Sequence, residues 1–142
     1  MVTREQYILN LRSVIGAPYQ WGAWGPAAYD CSGLVSWALG LTAKHNAAEL
    51  YHLFHFFTVR PAQAAPGSLY FYGEDINHID HVMSVLDHWQ NGYIVLIGAC
   101  HGDATTINLD VAKAQGACVC TQPQGYWLSH FVASADPFAA VA

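Results

Sequence analysis

Apolar positions in the first third of the chain recur at helical spacing and predict three helices. Thr3 and Gln6 form a capping-box pattern before the first of these stretches. The second begins after Asp30 and ends at Gly40, a residue typical of helix termini. Asn46 can cap the third. We therefore expect helices over residues 3–15, 31–39 and 46–57, with a structured loop rich in Gly, Pro and aromatic residues over 16–29.

The second half of the chain changes to short apolar runs bounded by turn residues, which is typical of strands. Asn91 and Gly92 stand between two such runs and indicate a hairpin. Helices followed by an antiparallel sheet are the α+β pattern. The expected strands cover residues 69–72, 81–86, 93–100, 117–121 and 126–133, with a short helix at 108–115.

Length and composition indicate a single domain over residues 1–142, in which 54% of residues are apolar and 11% are charged. This balance excludes intrinsic disorder, and no apolar run approaches the roughly 20 residues of a membrane span. The net charge is −5 and the five Lys and Arg residues are scattered, which argues against nucleic-acid binding. The N-terminal residues lack the pattern of a secretory signal peptide. We expect synthesis in the cytoplasm and, for an external target, delivery outside the general secretion route.

Four cysteines are candidates for chemistry or for disulfides. A core of this size does not need disulfides, so we expect mostly free thiols. Cys118 and Cys120 share one face of a predicted strand and are interpreted as core residues. Cys31 lies in the first turn of the second helix, where free backbone N–H groups favour a thiolate. The small residues Ser32 and Gly33 leave room for a substrate, although a buried structural thiol is the alternative.

A nucleophilic thiol needs a base, and the best-placed histidine is His81, which begins a predicted strand. His78 and His81, with Asp75 or Asp80, can also be drawn as metal ligands. Their spacing suits a helix face, however, and this segment has the pattern of a loop entering a strand. We therefore predict neither a metal nor an organic cofactor.

Four motifs give the chain a resemblance to the NlpC-type family of bacterial cell-wall cysteine peptidases. They are GAPYQWG from Gly16, DCSGLV from Asp30, PGSLYF from Pro66 and DHV from Asp80. The resemblance implies a papain-like α+β fold. It also implies that Cys31 attacks a peptide carbonyl, that His81 is the base, and that Tyr19 lines the cleft and helps to hold the oxyanion.

Three positions depart from the family pattern. Ser68 stands where the family usually has Asp, and Met83 replaces a small residue. The third catalytic position, a polar residue on the next strand that orients the base, falls near Gly98, which has no side chain.

The hairpin register suggests a substitute for that third residue. If Asn91 and Gly92 are the two turn residues, Met83 faces Cys100, and Cys100 lies on the same face as His81. A one-residue bulge would reverse this choice. Cys100 is thus the first candidate for the third position, with a buried strand thiol as its alternative. The next candidates are His101 and Asp103.

The resemblance implies a peptidoglycan hydrolase that cleaves stem peptides next to D-glutamate and a diamino acid by acyl transfer. A delivered antibacterial toxin would meet an inhibitor or immunity protein, and a phage lysin would meet virion proteins. Two other functions remain open. One is a non-catalytic module that binds cell wall or protein, and the other is an acyltransferase that uses the same dyad.

Overall fold

The computed structural model describes residues 1–139 and contains four α-helices and a five-stranded sheet. No helix among these residues has the length and apolar character needed to cross a membrane. The helices are α1 Arg4–Ser13, α2 Cys31–Leu39, α3 Ala47–Phe54 and α4 Leu109–Gln115, and the strands are β1 Leu69–Gly73, β2 Ile79–His88, β3 Ile94–Cys100, β4 Cys118–Pro123 and β5 Phe131–Ala135.

The strands form one antiparallel sheet in the order β4-β3-β2-β1-β5. Helices α2 and α3 pack against one face of this sheet, where Leu34 and Val82 belong to the larger core. A smaller core on the other face contains Tyr72, Met83 and Cys100. This is an α+β architecture, as the order of helical and strand patterns predicts.

The helix boundaries follow from local capping. Asp30 caps α2 and Gly40 ends it in the left-handed conformation, as predicted. Asn46 and Glu49 form a complete capping box at α3. At α1 only half of the predicted box forms, because Thr3 accepts from the Gln6 backbone while the Gln6 side chain bonds elsewhere. The α-helical part of the third helix ends at Phe54, and a 3₁₀ turn covers His55–Phe57.

The predicted strand over residues 126–133 is wrong in its first half. Successive turn hydrogen bonds, beginning with that of the Tyr126 N–H to the Pro123 carbonyl at 2.9 Å, carry the chain through residues 123–130. Trp127 adopts a positive φ of 46°, and Leu128–His130 is a 3₁₀ turn. Tyr126 and Trp127 therefore lie in a turn, and β5 begins only at Phe131.

The predicted two-residue turn between β2 and β3 is also wrong. His88 pairs with Ile94, so the loop has five residues, and an irregularity between Val85 and Asp87 shifts the register again. Ser84 consequently pairs with Ile97, two residues away from its predicted partner. Because a shift of two residues preserves the face, Cys100 still lies on the side of the sheet that carries Met83.

Candidate active site

Cys31 is the first residue of α2, and Asp30 fixes the backbone around it. One carboxylate oxygen of Asp30 accepts the Gly33 N–H at 2.7 Å, and the other accepts the Gly22 N–H at 2.8 Å. Lys44 forms an ion pair with the same carboxylate at 3.1 Å. The cap thus ties the aromatic loop, the helix and a cation together beside the sulfur.

The Cys31 thiol lies in a buried environment that keeps it protonated at rest. Burial, with the neighbouring Asp30 carboxylate, raises the pKa of Cys31 to about 11. Hydrogen bonds from the backbone N–H groups of Val82 and Ser32 act in the opposite direction and lower this pKa, as does Lys44. The Val82 contact sets the sulfur beside the peptide that follows His81.

His81 lies near the start of β2 and is partly buried. Burial, followed by the charge of nearby His101, lowers the pKa of His81 to about 4. At neutral pH the imidazole is uncharged, which is the form that can accept a proton. The resting pair is therefore a neutral thiol and a neutral imidazole.

Both side chains line one cavity of about 570 Å³, together with Tyr19, Tyr126 and Trp127. A second cavity of about 370 Å³ also borders Cys31, and its lining includes Lys44. Cys31 thus lies where two cavities meet, an arrangement that suits an extended substrate crossing the sulfur.

Tyr19 lines both cavities of this site, and Ser32 lines one of them. Burial, with the neighbouring Cys31, raises the pKa of Tyr19, so its hydroxyl stays protonated and able to donate in the first cavity. The Tyr19 ring packs against Gly102, where a Cβ would overlap it. Ser32 lines only the second cavity, and its hydroxyl donates to Asp30 at 3.3 Å.

Comparison with known proteins identifies the family. The profile described as the NlpC/P60 family matches residues 16–134 of this chain. The chain belongs to the NlpC/P60 family. A probable endopeptidase p60 of Listeria grayi is 36% identical over 97 residues, which are 63% of this chain and 18% of that protein. The chain spans about a fifth of the length of the curated relatives first matched.

Solved structures of NlpC/P60 domains share the fold. The NlpC/p60 domain of the peptidoglycan hydrolase SagA superposes with a TM-score of 0.65 at 20% identity, covering 95% of this chain and 99% of that one. RipD of Mycobacterium tuberculosis, described as a non-catalytic NlpC/p60 domain protein, gives a TM-score of 0.56 at 20% identity, covering 87% and 88%. The papain-like α+β fold expected from the motifs is thus confirmed, and the family is one of peptidoglycan hydrolases.

At the third position of the NlpC/P60 pattern, the space beside Gly98 is filled by the Met83 side chain from the neighbouring strand β2. A Cβ at Gly98 would overlap the Met83 sulfur, so the Met83 side chain takes the space that a polar residue at 98 would need. Cys100, the first sequence candidate, is fully buried, and its thiol contacts the Met83 sulfur and the Gly98 carbonyl, each at 3.5 Å.

The other two candidates lie on the wall of the first cavity. His101 is exposed there, with its Nε2 3.1 Å from the Gln122 amide nitrogen. Asp103 accepts from the Thr105 backbone at 2.8 Å and from the Thr105 hydroxyl. These contacts lower the pKa of Asp103. Neither side chain makes one of its hydrogen bonds to the His81 ring.

Tyr126 is the residue that the sequence patterns missed. Its hydroxyl lies 3.3 Å from Nε2 of His81, a contact between residues 45 positions apart in the chain. The segment has the apolar pattern of a strand, and that pattern concealed the turn. The turn residues Pro123 and Gly125 are the signal that would have placed Tyr126 outside a strand.

The alternative metal site does not assemble. Within residues 1–139 no group of three or more His, Cys, Asp or Glu side chains has an arrangement suited to a metal ion. His78 instead pairs with Asp75 at 2.8 Å in an exposed loop, which raises the pKa of His78. All four cysteines are free thiols, in agreement with the sequence prediction.

Proposed function

We propose that this chain is a cysteine endopeptidase, or amidase, that hydrolyses peptidoglycan stem peptides with Cys31 as nucleophile and His81 as base. The observation that carries this proposal is that both side chains line the same open cavity. Membership of a peptidoglycan hydrolase family supplies the substrate class.

Because the resting thiol and imidazole are both neutral, the proton moves during the attack and not before it. His81 accepts the thiol proton of Cys31 as the sulfur bonds to the carbonyl carbon, and the carbonyl oxygen becomes an oxyanion. When the tetrahedral intermediate collapses, the C–N bond breaks and His81 returns the proton to the departing amine. A water molecule then attacks the thioester and gives a proton to His81. The C–S bond breaks to release the acid product, and His81 returns the proton to the Cys31 sulfur.

Two donors are available for the oxyanion. The backbone N–H of Cys31 is at the start of α2, where helical N–H groups have no intrahelical partner. The Tyr19 hydroxyl borders the same cavity and stays protonated because its pKa is raised. In this proposal Ser32 contacts the substrate segment that occupies the second cavity.

The resemblance to NlpC-type peptidases suggests a cleavage site next to D-glutamate and a diamino acid. We further propose that the enzyme acts in the periplasm or cell wall, as an injected antibacterial toxin or as a phage-associated lysin. The toxin assignment requires a dedicated inhibitor that fills the cavity around Cys31. Protection of a susceptible bacterium by a co-encoded protein that binds the chain would support it, and a virion partner would favour the lysin.

The test is digestion of purified peptidoglycan by the wild-type protein and by Cys31→Ala. We expect new peptide fragments, separated by chromatography and identified by mass spectrometry, from the wild type only. Equal product from the two proteins would overturn the proposal. A product joined to an added amine acceptor would assign the dyad to acyl transfer instead of hydrolysis.

A second candidate function is non-catalytic binding of cell wall, favoured by the lack of a polar side chain at position 98. RipD, of the same fold, is described as adapted to peptidoglycan binding. Alkylation by iodoacetamide at neutral pH separates the two. In an enzyme His81 assists the Cys31 thiol, so Cys31 labels faster in the wild type than in His81→Gln, whereas in a pure binder Cys31 labels alike in the two proteins. Cys118 is the internal reference for the labelling rate.

A further inference from the structure

We propose that Tyr126 is the positioning residue for His81 and replaces the polar third residue of the NlpC/P60 site. This inference rests on the proposed function of Cys31 and His81. Its basis is the contact between the Tyr126 hydroxyl and Nε2 of His81, at 3.3 Å, on the wall of the cavity that holds Cys31.

On strand β3, the space at the third position of the NlpC/P60 pattern is already filled. The Met83 side chain, fully buried, occupies the space beside Gly98. Cys100 directs its thiol toward Met83 and the Gly98 carbonyl. The β3 strand therefore provides no polar group for the imidazole, and the orienting atom comes from the turn after β4.

The contact selects one tautomer of the imidazole. A general base must present a ring nitrogen without a proton to the Cys31 thiol, and Tyr126 occupies Nε2. The Nε2–H form donates to the Tyr126 oxygen and leaves the Nδ1 lone pair free for the thiol proton. After proton transfer the same oxygen accepts from the imidazolium, so the hydrogen bond persists through the reaction.

The Tyr126 hydroxyl lies close enough to Cys100 for each group to influence the pKa of the other. Burial and the neighbouring Cys100 raise the pKa of Tyr126, which keeps the hydroxyl protonated. The protonated hydroxyl keeps oxygen lone pairs that can accept from the Nε2–H of His81.

Packing holds the Tyr126 side chain in this place. Its ring meets the Tyr72 ring edge to face at 5.8 Å, and its backbone N–H donates to the Pro123 carbonyl at 2.9 Å. Trp127 covers His81 from another side, with the two ring centroids 5.7 Å apart. The hydroxyl can therefore be removed by Tyr126→Phe while the ring and the turn are kept.

The experiment compares Tyr126→Phe with Tyr72→Phe in the full chain. Tyr72 belongs to the core beneath, and its buried hydroxyl has no hydrogen-bond partner among the described residues. Steady-state hydrolysis of a soluble stem peptide gives kcat and KM. The neutral tautomer of His81 is read from two-bond ¹H–¹⁵N correlations in the Cys31→Ala background.

We expect Tyr126→Phe to lower kcat roughly tenfold, the effect of one neutral hydrogen bond, with KM within about twofold of wild type. We also expect its His81 to lose the pure Nε2–H form, whereas Tyr72→Phe keeps both kcat and the tautomer. An unchanged kcat overturns the inference. So does a loss confined to KM or to folding while the tautomer is retained.

The two proposals fail in different ways. If the wild type and Cys31→Ala release equal product, the proposed function fails. The tautomer measurement then still decides whether Tyr126 orients His81. If the wild type is active and Tyr126→Phe is equally active, only the positioning role is lost.

Discussion

Met83 and Gly98 pack against each other across β2 and β3, and the sulfur of Met83 fills the volume that a side chain at position 98 would occupy. The NlpC/P60 pattern has a small residue at the first position and a polar residue at the second. In this chain the large residue, Met83, is at the first position and the small residue, Gly98, is at the second. The larger residue at position 83 compensates for the smaller residue at position 98, so the two departures from the family pattern are one paired change. Neither position shows this when it is considered alone.

The exchange predicts that Gly98→Ala destabilises the fold, although alanine suits a strand better than glycine. The added Cβ overlaps a fully buried side chain, and such overpacking costs about 1–3 kcal/mol of unfolding free energy. Urea denaturation measures it. In a Met83→Ala background the same substitution should cost less than in the wild type, because the overlapping sulfur is gone.

Gly125→Ala is the matched control for this prediction. Nothing lies within 4 Å of a Cβ at that position. We expect its unfolding free energy to stay within about 0.5 kcal/mol of wild type. Equal costs for Gly98→Ala in the two backgrounds would contradict the packing of Met83 against Gly98.

The parts of the fold that the sequence predicts well are those set by neighbouring residues. Asp30, Gly40 and Asn46 mark helix ends through contacts within a few positions, and all three end or begin helices as expected. The β2–β3 register could not be read in this way. It depends on a five-residue loop and on the irregularity between Val85 and Asp87, which tertiary packing decides.

The candidate site shows the same difference between residues that local patterns predict and residues that only the tertiary fold brings together. Cys31 and His81 stand in short motifs that resemble the family pattern, so the sequence names both as candidates, and the structure brings both to one cavity. Tyr126 reaches His81 from 45 residues away through a turn, and no local pattern carries that information. The turn that carries Tyr126 to His81 includes Trp127, whose positive φ of 46° is exceptional for a tryptophan.

The charges around Cys31 predict opposite effects of two substitutions on its reactivity. Asp30 raises the pKa of the thiol and Lys44 lowers it. Asp30→Asn, which keeps an oxygen for the helix cap, should therefore lower the pKa of Cys31, whereas Lys44→Met should raise it. The pH dependence of iodoacetamide labelling, followed at the Cys31 peptide by mass spectrometry, measures both.

Lys113→Met serves as the control, since Lys113 is exposed on α4 and lines neither of the cavities at Cys31. Its labelling profile should match that of the wild type. Shifts of the same sign in Asp30→Asn and Lys44→Met would show that the carboxylate and the ammonium do not act on the sulfur through their charges.

The low pKa of His81 predicts activity that extends into mildly acidic solution. The base works only when unprotonated, so the acid limb of kcat/KM should fall near the pKa of about 4 and not near 6.5. His101 contributes by its charge, and His101→Gln should move this limb to higher pH. His78→Gln, in an exposed loop outside the cavity, is the control and should leave the limb in place. A limb near 6.5 in the wild type would contradict the burial of the imidazole.

The same pKa predicts how stability depends on pH. The unfolded chain protonates His81 near pH 6.5, whereas the folded protein does so only near about 4, so the unfolded state binds more protons between these values. The part of the unfolding free energy that depends on a neutral His81 is therefore complete above pH 6.5 and is lost as the pH falls toward 4. His81→Gln cannot titrate, so its unfolding free energy should decline less over this interval than that of the wild type. Parallel curves from chemical denaturation at pH 7, 6, 5 and 4 would show that His81 titrates alike in both states, and the lowered pKa of the folded imidazole would then be wrong.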